Sequence, residues 1–176
     1  LLDALVGDPA LGHRSGQLSL KILDQFPNSA YRTKVNMLFA VFVCAAKDPG
    51  RHTLPLLEQG IEAGLEIGDI EYVSYCIMAY VSHQLLLGVP LEDIGEFQAK
   101  YGPVLHHLKQ EHCIEYAQIW CQGVDALAGI GEGSDALSDQ SVSVKVKALQ
   151  ASHNQQCLFA LHLRQLMLCY GRGDYA

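Results

Sequence analysis

Apolar residues recur along this chain every three or four positions, and no sustained apolar and polar alternation bounded by hairpin signals interrupts them. That period predicts an all-α fold. After a Gly7-Asp8-Pro9 break, residues 10–25 read as one helix that ends near Pro27. Asn28 or Ser29 caps the next, whose Val35, Leu38, Phe39, Phe42, Val43 and Ala46 form one stripe. Asp48-Pro49-Gly50 stops it, and further helices follow over 53–66, with Pro55 tolerated in the first turn, and over 70–87. Gly88 and Pro90 then introduce a shorter helix over 91–100, acidic at its start as the helix dipole favours. Residues 103–128 read as the longest helix and the spine, with Leu105, Leu108, His112, Tyr116, Ile119, Gly123 and Ala126 on one stripe. The glycine- and serine-rich stretch 129–143 reads as a loop, followed by a short helix over 144–151 and a last one over 154–170.

A local pattern recurs at Gly7-Asp8, Gly68-Asp69 and Gly173-Asp174, where an apolar run ends and another begins within a few residues. Glycine supplies the left-handed residue that closes a helix, and aspartate caps the next one, which is the corner of an antiparallel helical hairpin. The corners are unevenly spaced. This predicts antiparallel hairpins in a degenerate tetratricopeptide-like solenoid, with 1–176 as a single helical-repeat domain.

With 49% hydrophobic and 18% charged residues, the chain has the apolar surface that a disordered segment lacks. Its formal charge of −7 opposes polyanions, and its basic residues are scattered singly, so neither nucleic acid nor an anionic membrane is expected as a partner. Protein or peptide partners fit better, with a homodimer left open. The six cysteines show no C-x-x-C and sit mostly in apolar runs, which points to a reducing compartment and the cytoplasm. The longest strongly apolar stretch, 37–46, falls short of the ~20 residues that span a bilayer. Opening at Leu1-Leu2 without an initiator Met, the chain reads as a fragment of a longer protein.

The densest polar constellation is His106, His107, Glu111, His112 and Glu115. His107 with Glu111 has the i, i+4 spacing that metal ligands use, but at 3.6 residues per turn His107 and His112 point about 140° apart, so a metal would need ligands from another helix. His112 and His83 lie on apolar stripes and read as hydrogen-bonded core or groove histidines. Cys113 and Cys121 have no identifiable third group for nucleophilic chemistry. The run Gly129 to Ser134 lacks the Lys-Ser/Thr of a phosphate loop and carries an acid at its centre. No catalytic, cofactor-binding or metal-binding residue is assigned, and no cofactor is expected. An all-α metalloenzyme stands as a third reading, behind a helical relay and a freestanding adaptor.

On the fourth helix, Tyr72, Tyr75, Tyr80, His83 and Gln84 cannot all point inwards. Tyrosine offers large contact area at low entropy cost, and helical solenoids bind through such faces, so these five residues are the candidate partner surface.

Three stretches resemble one family: LPLLEQGIEAGLEIGDIEYVSYCIMAYVSHQLLLGVPL (54–91), YGPVLHHLKQE (101–111) and LHLRQLMLCYGRGDYA (161–176). They are similar to the tetratricopeptide-like helical region that follows the P-loop ATPase domain in large multidomain serine/threonine kinase and sensor histidine kinase proteins. The chain departs from that family's pattern at Ala46, where the family carries a Trp, and at Ala126, where it carries an Asn. The resemblance implies a non-catalytic scaffold or relay that works through protein contacts, including those with neighbouring domains of its parent chain, while the parent carries the kinase and ATPase activities.

Overall fold

Asp8 accepts hydrogen bonds from the Ala10 and Leu11 amides, both at 3.0 Å, and so starts helix α1 (Pro9–Gln25) with proline at its first position. The computed structural model describes residues 8–26, 29–129 and 139–173, and among the described residues this is the first of eight α-helices. No strand occurs among the described residues, and no described helix is long and apolar enough to cross a membrane. The fold is all-α. Its helices gather in two compact units, Leu1–Leu87 and Gly88–Ala176, where the apolar period alone reads as one repeat domain.

In the first unit, α1 is followed by α2 (Arg32–Phe42), α3 (Thr53–Ile67) and α4 (Ile70–Leu86). The stripe expected to reach Ala46 stays α-helical only to Phe42, and the chain then tightens into 3₁₀ turns at Cys44–Ala46 and Gly50–His52. The Gly68-Asp69 corner forms as its residues dictate. Gly68 takes the left-handed conformation at φ 76°, and Asp69 accepts from the Tyr72 amide at 3.2 Å. Of the other two corners, Asp8 and Gly173 play their parts, while Gly7 and Asp174 lie outside the described residues.

Helices α2, α3 and α4 pack against one another around Phe39, Ala40, Leu57, Ile61, Val73, Cys76 and Ile77, and α1 packs on α2. The approach is close because α3 presents Gly60 and Gly64, one turn apart, to its neighbours. A Cβ at Gly64 would overlap Val73 Cγ2 and lie 2.8 Å from Thr33 Cγ2.

The second unit contains α5 (Leu91–Leu108), α6 (Glu111–Ala128), α7 (Asp139–Ala151) and α8 (Gln155–Arg172). Two expectations are corrected here. The helix opening at Leu91 runs through Pro103 instead of stopping near 100, and the supposed 103–128 spine is broken at Lys109, which adopts φ 56°. Proline removes one intrahelical bond, which a packed helix can tolerate, whereas a continuous rod would leave its apolar face without a partner. Folding back at 109–110 sets α5 against α6 and buries Ile94, Tyr101 and Leu105 together with Cys113, Ala117 and Trp120. The second correction concerns the 129–143 loop. Residues 139–143 belong to α7, and 130–138 lie outside the described residues.

Candidate functional site

All five candidate partner residues lie on α4, but burial sorts them. Tyr72, Tyr75, Tyr80 and His83 are half-buried, while Gln84 is buried with its Oε1 lacking a hydrogen-bond partner. At 100° per residue Tyr72, Tyr80 and His83 share one side of the helix. Tyr72 and Tyr75 meet edge to face with ring centroids 5.7 Å apart, and the Tyr75 hydroxyl donates to Glu71 Oε1 at 3.2 Å. Lys34 of α2 places its ammonium 4.9 Å from the Tyr72 ring centroid. Its pKa is raised, chiefly by hydrogen bonding and charge interaction with Tyr72, with Glu71 and Asp69 adding to it. The structure therefore sets Tyr72 against Tyr75 and beside a cation from another helix, a contact that the α4 sequence alone does not announce.

His83 points its ring back along the helix, where Nδ1–H donates to the Ala79 carbonyl at 2.7 Å. Burial lowers its pKa, so the neutral imidazole is favoured, with one nitrogen already committed to the backbone. His83 is thus a half-buried histidine hydrogen-bonded to its own helix.

The polar constellation around His112 is divided by the Lys109 break. His106 and His107 end α5 while Glu111, His112 and Glu115 open α6, so His107 and Glu111 are not one turn apart on a single helix. Only part of the set is drawn into a network. Glu115 accepts from Lys145 Nζ of α7 at 2.5 Å and from Asn154 Nδ2 at 3.0 Å. Asn154 Oδ1 also caps α8 by accepting from the Cys157 amide, and His112 Nε2 pairs with Gln156 Oε1 at 2.9 Å. His112, Glu115, Lys145 and Asn154 line an open cleft of about 670 Å³ together with Glu111 and His153. Among the described residues no group of three or more His, Cys, Asp or Glu side chains is placed to hold a metal ion. Sequence reading named His112 and Glu115 but missed Lys145 and Asn154; the signal for Asn154 was its position as a cap before an apolar helix.

Burial disfavours the thiolate at three cysteines. Burial pushes Cys76 and Cys121 up to about 12 and Cys157 to about 11, with Asp69, Asp125 and Glu115 respectively adding to the rise. None of the six cysteines forms a disulfide.

Two helices expose apolar stripes that were not singled out from sequence. On α1 the stripe comprises Leu11, Leu18 and Ile22, continued by Phe26 just past the helix end, with Leu18 58% and Phe26 60% exposed. Arg14 and Lys21 are exposed seven residues apart along one flank of that stripe. The other stripe lies on α8. Compared with protein-family models, curated proteins and solved structures, the chain matches none.

Proposed function

We propose that this chain is a non-catalytic helical scaffold and relay domain, tetratricopeptide-like in its stacked hairpins, within a large ATPase and protein-kinase signalling protein. Its partner is an amphipathic helix with acidic flanks. The observation that carries this reading is the α1 face, where Leu11, Leu18, Ile22 and Phe26 stand exposed beside Arg14 and Lys21. An apolar stripe with a basic edge on a surface helix fits helix-in-groove docking, in which apolar anchors supply affinity and the charged edge sets orientation. The resemblance over 54–91, 101–111 and 161–176 supports the same role.

The relay runs from that face into the core. His13 of α1 donates to Asp48 at 2.6 Å, and Phe39 of α2 lies where a Cβ at Gly16 would be. Displacing α1 therefore pulls on the 43–49 corner and on α2, the kind of small helix shift that biases a neighbouring domain between states. Tyr72, Tyr80 and His83 form a second, half-buried contact edge on α4 with Tyr75 beside Tyr72, while Gln84 is buried and leaves that edge.

A synthetic amphipathic helix with leucines on one face and glutamates beside them tests this directly. Binding is expected by fluorescence anisotropy, weakened by added salt and by Arg14→Glu with Lys21→Glu, and abolished by Leu18→Glu. Hydrogen exchange at 43–49 should change on binding. No binding overturns the docking face, and binding without the exchange change leaves a freestanding adaptor in place of a relay.

A further inference from the structure

Helix α8 is apolar on both sides. Towards the core it buries Cys157, Ala160, Leu161 and Leu168, yet on the opposite side Phe159, Leu166 and Tyr170 are 67%, 66% and 73% exposed, with Leu163 half-buried among them. A helix that is apolar all round is normally covered all round. The four outer residues are spaced four, three and four apart, which is the d-a-d-a seam of a coiled coil on the face directly away from α6.

We infer that this seam is the contact between two copies of the chain, paired antiparallel about a two-fold axis. The spacing is self-complementary: when α8 is laid antiparallel on its own copy, Leu163 meets the second copy's Leu166 and Phe159 meets its Tyr170, as an isologous contact requires. Charge favours the same occupant. Each chain carries −7, so copies repel over most of their surface, but the seam and its flanking His162, Met167 and Cys169 carry no formal charge at neutral pH. A lipid surface fits less well, since among the described side chains no Lys or Arg borders the seam.

The exposed area sets the strength. With aromatic side chains presenting about 150–250 Å² each, the seam offers roughly 500 Å² per copy. Pairing buries on the order of 1,000 Å² in total, which reaches the threshold for a specific interface without approaching the standard size. The dimer is therefore reversible, with micromolar rather than nanomolar dissociation. Raising salt strengthens it by screening the net repulsion.

Sedimentation velocity on the whole 176-residue chain tests the inference. The weight-average mass should rise from one chain towards two as concentration approaches about 100 µM, a range set by micromolar affinity. Leu166→Glu should remain monomeric there, with unchanged helix content by circular dichroism. The double variant Leu163→Lys with Leu166→Glu should dimerise again, because the antiparallel register sets each lysine opposite the second copy's glutamate; a parallel register sets like charges together. Leu18→Glu, on the α1 face, should leave the dimer intact, so this inference and the α1 docking reading fail separately. A wild-type chain that stays monomeric, a Leu166→Glu variant that still dimerises, or a double variant that stays monomeric would overturn it.

Discussion

Arg164 Nη1 donates to Gln122 Oε1 at 2.9 Å, so a guanidinium only 2% exposed directs its shorter bond between α8 and α6 to a neutral amide. Its other acceptors are the Ile119 carbonyl at 3.4 Å and Gln165 Oε1 at 3.1 Å, and its Nε has no partner. Burial lowers the Arg164 pKa, which marks the cost of holding this charge out of water. Arg164→Met keeps the bulk and removes the charge, so its unfolding free energy from urea titration should match or exceed wild type, by up to about 2 kcal/mol. Arg164→Ala removes the packing stem as well and should lose about 2 kcal/mol.

Backbone sites separate crowding from conformational strain. Gly64→Ala forces a methyl against Val73 and Thr33 and should destabilise by about 1–3 kcal/mol. Gly95→Ala, also within a helix, meets nothing within 4 Å and should stabilise by about 0.5–1 kcal/mol. At Lys109, φ 56° is a conformation that a side chain disfavours, so Lys109→Gly should stabilise by about 1 kcal/mol. Chemical denaturation of the three variants checks signs that helix propensity alone would assign wrongly at Gly64 and Lys109.

Asn154 performs two tasks that substitution can divide. Its Oδ1 caps α8 and its Nδ2 ties Glu115, so Asn154→Ala should cost about 2 kcal/mol. Asn154→Ser keeps an oxygen for the cap and loses the tie, and should fall about midway between. Equal losses for the two variants in thermal melts would show that the cap contributes nothing.

Two shifted groups give pH dependences of opposite sign. The folded chain resists protonating His83, whose pKa burial lowers from 6.5, so the unfolded state binds more protons as pH falls below that value. The stability linked to His83 is thus full above pH 6.5 and is lost as pH falls through the lowered folded value; His83→Gln should flatten that slope in melting temperature. Burial raises the Asp125 pKa from 3.8, so its folded form holds a proton that the unfolded form releases. Its contribution is lost as pH rises through the raised value. Asp125→Asn should therefore raise the melting temperature at neutral pH, with the advantage shrinking as pH approaches 3.8.

Much of the fold was legible because its causes act within one turn of chain. Asp8 and the Gly68-Asp69 corner each depend on bonds between residues two to five apart, and the helical period locates the apolar faces between them. The candidate site was half legible for the same reason. Tyr72 and Tyr75 could be placed on α4 from spacing alone, but Lys34 over the Tyr72 ring could not.

By itself, then, the sequence determined an all-helical chain, most of its helix boundaries and the chemistry of its corners. Only the tertiary structure decided that the chain turns back at Lys109 rather than at Pro103, that Lys145 reaches Glu115 across 30 residues, and that Arg164 reaches Gln122 across 42. It also decided which side of α8 stays uncovered. Caps and periodicity are local energies that a linear reading can assign, whereas these outcomes depend on which apolar faces find one another, a choice made by the burial of many residues at once.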